Sequence, residues 1–336
     1  MRQGALAFVL TYAPIPTTDL YFLGSCGDLV ARPWRRGPVQ RLGANCFRVG
    51  NRYLVVRRDR ERLIRTILED RDAEIIYLID DNLAATDDIS LPDGYRDRLR
   101  VLRDGIFSDM MARASLIVTS ADAIKAALPE GVPVRHLDPV WQGVPGPGAH
   151  LRYNAGNRLD IVHLGTGSHG AGFEFLAPAL EAVLTTLPHV HFHYFSSSGL
   201  LGPLDSHPRV HRLRGKSWRA YKRALPGFKF HLGLYPLPDT PFNAARSVNK
   251  ILEYTLAGCP AMYTAEWAGA RGLEDGVNAF LVSGGAEAWA ARLVEVLKRP
   301  DMLALVYDGA RDFYARHNDA AAQRAFWQDV FIKDGQ

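Results

Sequence analysis

The chain has 336 residues, of which 47% are hydrophobic and 23% are charged, and its formal net charge is +4. This length allows two domains of ordinary size, and the hydrophobic content excludes a disordered chain. The net charge is too small to indicate nucleic-acid binding by itself, so no nucleic-acid partner is expected. Cys26, Cys46 and Cys259 match no metal pattern and no disulfide framework, which fits a reducing cytoplasm.

The chain opens on a short apolar run, residues 5–10, that is soon followed by Pro14 and Pro16. The run is short for a signal peptide, so we expect it to form a first buried strand. No run of eighteen apolar residues is present, so the sequence predicts no membrane-spanning helix.

An arginine-rich segment follows at residues 32–65, with eleven arginines, no lysine and two acids, Asp59 and Glu61. Two interpretations of this segment stay open. It could face an anionic membrane or a lipid-diphosphate acceptor, or it could be a solvated surface without a partner.

The amino-terminal half alternates between predicted strands and helices, which indicates a parallel sheet. The strands are expected at 47–49, 53–56, 73–79, 114–119 and 132–137. The helices are expected at 59–69, with Asp59 as its cap, at 95–112 and from residue 120.

Two acids, Asp80 and Asp81, come directly after the buried strand 73–79. The carboxyl ends of parallel strands form the edge at which such sheets bind ligands. These carboxylates could bind an acceptor hydroxyl or act as a base, or they could belong to an Asx turn that caps the next segment.

A stretch rich in glycine and proline, residues 144–157, is the best candidate for a linker. It divides the chain into an amino-terminal domain, 1–143, and a carboxy-terminal domain, 158–315, followed by a last segment, 316–336. The second domain repeats the alternation, with strands expected at 159–164, 190–195, 210–213, 228–235, 260–264 and 279–282. Helices are expected at 173–187, from 217, at 286–298, 302–317 and 320–332.

A glycine-rich turn opens the second domain between a strand and a helix. Gly165, Gly167 and Ser168 would let backbone N–H groups approach a phosphate. His169 could hydrogen-bond a diphosphate or sugar, or it could be an exposed histidine without a role. The later Gly-Lys-Ser that contains Lys216 lacks the upstream glycine of a P-loop.

The segment 241–260 is the one around which the chain is organised, and it predicts a single helix that Gly258 and Pro260 end. Arg246, Lys250 and Glu253 lie at i, i+4 and i+7 and would share one face. This face offers cations for a diphosphate and an acid for ribose hydroxyls. The alternative is an exposed charged face with weak ion pairs.

This segment resembles a known family. The run 247–254, the Ala-Gly-Cys-Pro at 257–260 and the run 274–282 resemble the donor-binding segment of GT-B glycosyltransferases of the family 4-like group. The resemblance implies an α/β fold with two Rossmann-like parallel-sheet domains facing a cleft. It also implies that Glu253 binds ribose and that the last segment, 316–336, packs back on the first domain.

The sequence departs from the family at Ala245, where the family has the first glutamate of its E-x7-E pattern. Asn243 or Phe242 would have to replace that sugar contact, and Arg246, Lys250 and Lys216 would have to carry the charge that meets the diphosphate.

By this resemblance we expect transfer of a sugar from a nucleotide-sugar donor to a glycan or lipid-linked acceptor in polysaccharide biosynthesis. The reaction would be retaining and would need no metal and no cofactor besides the nucleotide sugar. The protein would be cytoplasmic, with peripheral contact to an anionic membrane as an open possibility.

The candidate catalytic residues are Asp80, Asp81 and His169. The candidate substrate-binding residues are Gly165, Gly167, Ser168, Lys216, Asn243, Arg246, Ser247, Lys250 and Glu253. An inverting reaction would need a base such as Asp80, Asp81 or His136. The rival functions are a non-catalytic protein that binds a nucleotide sugar or glycan, and a sugar-nucleotide epimerase.

Overall fold

The computed structural model describes residues 14–88, 91–126, 128, 130–152, 158–165 and 170–332. The strand expected at 5–10 lies outside the described residues, and so do Gly167, Ser168 and His169. Within the described residues, none of the helices combines the length and the apolar character needed to cross a bilayer.

The first sheet has six strands in the order β1-β2-β3-β4-β5-β6. They are β1 (Gln40–Arg41), β2 (Cys46–Val49), β3 (Arg52–Val56), β4 (Glu74–Ile79), β5 (Leu116–Thr119) and β6 (Val134–His136). Strands β3 to β6 are parallel, whereas β2 is antiparallel to both of its neighbours. Val56 pairs with Leu78, so β3 and β4 end at the same edge of the sheet.

The helices of the first half differ from the predicted ones in three places, the first being the helical stretch 16–26, which was not predicted. They are α1 (Pro16–Thr18), α2 (Gly24–Cys26), α3 (Glu61–Glu69), α4 (Asp93–Asp104), α5 (Ile106–Arg113) and α6 (Asp122–Lys125), with a π-helix (Asp19–Leu23) between α1 and α2. The single helix predicted at 95–112 is wrong, because the chain is extended at Gly105, between α4 and α5. Asp59 is not the cap of α3; that position is Arg60, and the Asp59 carboxylate accepts from the backbone N–H of Asn45 instead.

The second sheet has six parallel strands in the order β12-β11-β10-β7-β8-β9. They are β7 (Leu159–His163), β8 (Val190–Phe195), β9 (Val210–Leu213), β10 (Leu232–Tyr235), β11 (Ala261–Thr264) and β12 (Phe280–Val282). The predicted α/β fold with two sheets is therefore confirmed, with an antiparallel edge on the first sheet that alternation alone did not predict.

The helices of the second half are α7 (Gly170–Thr186), α8 (Trp218–Ala224), α9 (Pro241–Ala244), α10 (Asn249–Leu256), α11 (Ala286–Leu297), α12 (Asp301–His317) and α13 (Ala320–Trp327), and a π-helix (Gln328–Ile332) follows α13. The single helix predicted over 241–257 is wrong, because residues 245–248 separate α9 from α10. The physical reason is tertiary: Phe242 and Ala245 are buried in the core cluster of the first half, and this contact turns the chain. Gly258 follows α10 with φ of +85°, as its predicted role requires.

The end of the chain lies on the first half. The Trp327 indole N–H donates to the carbonyl of Tyr21 at 2.6 Å, and Trp327 is fully buried. Gln323 donates to the carbonyl of Leu20 at 3.0 Å. The last helix therefore connects the second half to the first.

Candidate functional site

A cavity of about 390 Å³ lies between the two halves, at the edge where the parallel strands of both sheets end. Its volume is in the range of pockets for small molecules. The cavity is lined by Pro16, Leu20, Arg57, Asp80, Asp81, Tyr95, Trp141, Leu164, Gly165, Phe195, Gly215, Lys216, Trp218, Tyr221, Tyr235, Arg246, Ser247, Asn249, Lys250 and Glu253.

An acid and a cation from α10 face the cavity as a bonded pair. Glu253 is only 4% exposed, and its carboxylate accepts from the Tyr221 hydroxyl at 2.5 Å and from the Lys250 ammonium. Lys250 also donates to the carbonyl of Leu164 at the end of β7. Burial raises the pKa of Tyr221 well above its ordinary value, and the Glu253 carboxylate raises it further, so this hydroxyl stays protonated as a donor. The positive charge of Lys250 is therefore already balanced inside the protein.

Two further cations line the cavity without a carboxylate partner in the described part of the chain, Lys216 and Arg246. Arg246 lies between α9 and α10, and its guanidinium carbon is 4.7 Å from the centre of the Phe242 ring. Its buried Nε–H donates to none of the described residues. Ser247 and the first turn of α10 follow at the same wall, where the helix dipole favours an anion.

The wall of the first half is built around Arg57, which has φ of +57°, a left-handed conformation that non-glycine residues rarely adopt. Its N–H donates to the carbonyl of Leu78 at 2.8 Å, and its carbonyl accepts from the Tyr77 hydroxyl at 2.7 Å. These bonds hold the strained residue so that its guanidinium reaches both acids. Arg57 pairs with Asp81, and its Nε lies 3.4 Å from Oδ1 of Asp80.

Asp80 is the member of this cluster with free hydrogen-bonding capacity. Its Oδ2 accepts from the Thr17 hydroxyl at 2.9 Å, while its buried Oδ1 accepts no hydrogen bond from any described residue. Burial raises the pKa of Asp80 above its ordinary value and Asp81 raises it further, whereas Arg57 opposes the shift. Asp81 also accepts from the Tyr95 hydroxyl at 3.3 Å, so its carboxylate is already bonded to neighbouring protein side chains.

Aromatic side chains cover a large part of the cavity wall. The rings of Trp141 and Trp218 lie 5.2 Å apart, and those of Trp218 and Tyr221 lie 6.1 Å apart and stacked. Trp218 donates to Asp19 at 2.9 Å, and Trp141 donates to Asn249 at 2.7 Å, so both rings are fixed across the gap between the halves. Such surfaces stack on flat or apolar groups such as a base or a sugar face.

The structure brings most of the predicted site residues together and leaves one elsewhere. The predicted residues that line the cavity are Asp80, Asp81, Gly165, Lys216, Arg246, Ser247, Lys250 and Glu253. Asn243 instead lines a neighbouring cavity of about 390 Å³, and its side chain donates to the carbonyl of Pro238. Ala245 and Phe242 are each 2% exposed and belong to the core of the first half, so neither replaces the missing glutamate. His136 is exposed, beside Asp138, and is not among the lining residues.

Several lining residues were not predicted from the sequence, above all Arg57, Tyr95 and Trp218. Arg57 directly follows β3, and the rule that selected Asp80 at the end of β4 could have selected it too. For Tyr95 and Trp218 no pattern in the sequence marks a ligand-facing role, since aromatic residues at helix starts are more often part of a core.

Asn82, at the end of β4, has a structural role. Its side chain accepts from the N–H of Ala84, which is the Asx-type cap considered for this turn, and it donates to the carbonyl of Pro241 at 3.2 Å. The N–H of Phe242 donates to Asp88 at 3.3 Å. The segment before α10 is therefore attached to the first half directly beside the cavity.

Comparison with known proteins gives a structural likeness only. No protein-family model matches the chain, and no curated protein matches it in sequence. Among solved structures, sucrose-phosphate synthase from Thermosynechococcus elongatus has a TM-score of 0.59 at 14% identity, with 79% of this chain and 69% of that chain covered. HepE from Anabaena in complex with UDP-glucose has a TM-score of 0.57 at 17% identity, with 83% and 78% covered.

A third similar structure is the pneumococcal O-GlcNAc transferase GtfA in complex with UDP and GlcNAc. Its TM-score is 0.57 at 13% identity, with 82% of this chain and 56% of that chain covered. At this level of identity the likeness shows the fold: two α/β halves arranged as in GT-B glycosyltransferases, as the resemblance of the donor segment implied.

Proposed function

We propose that this protein is a glycosyltransferase that moves a sugar from a nucleotide-sugar donor to a glycan or lipid-linked acceptor. The proposal rests on the different chemical groups that the two walls of one cavity present. Its second-half wall offers an acid and two cations without a carboxylate partner among the described residues, and its first-half wall offers the Asp80 carboxylate, which Arg57 holds.

The donor would lie against the second half. The Glu253 carboxylate, held by Tyr221 and Lys250, would accept the hydroxyls of the ribose. Lys216 and Arg246 would face the diphosphate, whose two negative charges match these two cations, and the first turn of α10 adds its dipole. A uridine nucleotide is the first choice, because HepE and GtfA have been seen with UDP.

The acceptor would lie against the first half, with one of its hydroxyls beside the Asp80 carboxylate. Arg57 and Asp81 would keep that carboxylate in place. We propose a retaining transfer: the bond from the sugar C1 to the donor phosphate breaks, the bond from C1 to the acceptor oxygen forms on the same face, and the acceptor proton passes to the leaving phosphate oxygen. Lys216 and Arg246 would balance the charge that develops on the leaving diphosphate without a metal.

A non-catalytic nucleotide-sugar binder is the second candidate, and Ala245 in place of the family's first glutamate favours it. A sugar-nucleotide epimerase would need acids and histidines from both halves, and no histidine occurs among the described residues that line the cavity. We further propose a role in polysaccharide biosynthesis on the cytoplasmic side of a membrane, for which the arginine-rich segment is the support.

The test is a thermal-shift series with UDP, GDP and CMP, followed by assays with the corresponding nucleotide sugars. A ligand at about a hundred times its Kd stabilises the native state by about 2.7 kcal/mol, which is easily measured. We expect a shift with UDP or another nucleoside diphosphate and then slow hydrolysis or transfer of the matching sugar. Binding without any turnover would favour the non-catalytic candidate, and absence of a shift with every nucleotide would contradict both.

A further inference from the structure

A tight turn on the first half presents a tryptophan to solvent. The turn Arg32–Arg35 is closed by two backbone hydrogen bonds, from Arg32 to Arg35 at 2.8 Å and from Arg35 to Arg32 at 3.0 Å. The Arg35 guanidinium donates to the carbonyls of Gly27 at 2.9 Å and Val30 at 3.2 Å, which fixes the base of the turn. Trp34 at the tip is 79% exposed. The backbone turn that carries the ring is therefore fixed, and the ring itself is exposed to solvent.

The residues at this tip are of the types that anchor proteins at the surface of a lipid bilayer. The Arg32 guanidinium lies 6.0 Å from the centre of the Trp34 ring, and Arg36 follows on the other side, exposed. Neither arginine has a carboxylate partner within the described residues. Tryptophan prefers the boundary between lipid headgroups and acyl chains, and arginine binds the phosphates of anionic lipids.

A band of arginines continues from this turn toward the cavity. Burial lowers the pKa of Arg41, while Asp59 raises it and the charge of Arg32 lowers it, which shows that these three groups are close. The Arg60 guanidinium donates to the carbonyl of Leu42 at 3.3 Å, beside Arg41. The Arg58 carbonyl accepts from Asn45 at 3.0 Å, and the next residue toward the cavity is Arg57.

Exposed arginines of the band place positive charge at the surface. The segment 32–65 has eleven arginines and two acids, and the ion pairs found among the described residues join it to three carboxylates from elsewhere. These three are Glu74, Asp80 and Asp81. Asp59 is turned inward, with its side chain 1% exposed, so it contributes little negative charge at the surface. Arg32, Arg36 and Arg58 are exposed, so the surface around the turn is cationic although the whole chain carries only +4.

We infer that Trp34 and the arginine band dock this protein on an anionic lipid bilayer, with the Trp34 ring in the headgroup region and the arginines on lipid phosphates. A soluble polyanion without aromatic groups would use the arginines but not the protruding ring, whereas a single-stranded nucleic acid could also stack on the ring, so both are outcomes of the test. The docking surface is separate from the donor site, so it stands whether or not sugar transfer is confirmed. Together with sugar transfer it favours a lipid-linked acceptor over a soluble one.

The test is co-sedimentation of the full chain with vesicles of phosphatidylcholine alone and of phosphatidylcholine mixed with phosphatidylglycerol. We expect binding only to the anionic vesicles and weaker binding as ionic strength rises. Trp34→Ala should lower the partition coefficient at least about tenfold. Arg32→Gln and Arg36→Gln should each lower it about fivefold.

Two variants serve as matched controls. Leu305→Ala removes another exposed apolar side chain, one that is 63% exposed on α12, and Arg299→Gln removes an exposed arginine outside the band. Both should bind like the unchanged protein. Because Trp34 is exposed, its replacement should leave the melting temperature and the nucleotide-induced thermal shift unchanged, which separates this test from that of the proposed function.

Three outcomes would overturn the inference. The first is no binding to anionic vesicles at low ionic strength. The second is equal binding by the Trp34→Ala and Leu305→Ala variants. The third is binding to a soluble polyanion that is as tight as vesicle binding, either to dextran sulfate independently of Trp34 or to a single-stranded oligonucleotide, which would assign the band to an anionic polymer.

Discussion

Replacing Glu253 by glutamine removes the negative charge of the donor-side acid and keeps its shape. A carboxylate that accepts from ribose hydroxyls forms charge-assisted hydrogen bonds, worth about 1.5–3 kcal/mol each. Loss of one such bond would raise the Kd of UDP or another nucleoside diphosphate about tenfold to a hundredfold. Isothermal titration calorimetry on the folded variant measures this directly.

The same change also leaves Lys250 without its counter-charge, and this must be separated from the effect on binding. The side chains of Lys250 and Glu253 are 13% and 5% exposed, so breaking their pair should cost about 3–5 kcal/mol of unfolding free energy. The double variant Glu253→Gln/Lys250→Met removes the stranded charge and should recover much of that stability. Its nucleotide affinity should stay low, because the ribose partner is still absent.

The reasoning fails if the double variant is stable and binds nucleotide as tightly as the unchanged protein. Lys250→Met alone gives a second check. The sequence pattern assigns Lys250 to the diphosphate, whereas the structure bonds it to Glu253 and the carbonyl of Leu164. We therefore expect this variant to weaken binding of the nucleoside as much as that of the diphosphate; a loss confined to the diphosphate would restore the earlier assignment.

Three further predictions concern other parts of the molecule. Asp80→Asn should lower the rate of transfer about tenfold to a hundredfold, while NMR of the product still shows retained anomeric configuration. Because burial raises the pKa of Asp80 above 3.8, the rate of transfer by the unchanged protein should fall as the pH drops through that raised value. Phe242→Ala should lower the unfolding free energy by about 3–5 kcal/mol in chemical denaturation, because the ring is 2% exposed. His231 accepts from the N–H of Asp160 at 3.0 Å, and burial lowers its pKa from 6.5 to about 4. A histidine with a lowered pKa stabilises the fold fully above pH 6.5 and loses that contribution as the pH falls towards 4, by about 3 kcal/mol at most. His231→Asn keeps an acceptor that does not titrate and should flatten this pH dependence in denaturation experiments.

Each of these has an outcome that would contradict it. An inverted product would make Asp80 a base and the mechanism inverting. Unchanged stability of Phe242→Ala would show that the segment before α10 is not held by the first half. An identical pH dependence in His231→Asn would assign acid destabilisation to other groups.

Much of the fold followed from local patterns. Strands such as β4 and β8 are continuous or alternating apolar runs bounded by polar residues, and parallel pairing follows from the helices between them. The placement of Asp80 and Asp81 at the cavity was predictable for the same reason, because the end of a strand in such a sheet lies at its ligand-binding edge.

The predictions that were wrong failed because of contacts between parts of the chain that are distant in sequence. The helix predicted over 241–257 breaks because Phe242 and Ala245 pack against a part of the chain that is distant in sequence. Helical spacing placed Arg246 on the face of Lys250 and Glu253, but Arg246 lies before α10 and reaches the cavity on its own.

The amino-acid sequence by itself determined the two α/β halves, the order of most strands along the chain and the edge of the sheets at which a ligand would bind, because these depend on periodicities within ten or twenty residues. Only the tertiary structure decided that Lys250 is neutralised by Glu253, that Arg57 holds Asp80 and Asp81, and that Asn243 points to a different cavity. The pairing and burial of these side chains depend on distances between residues that are far apart in sequence. Local sequence patterns do not specify those distances.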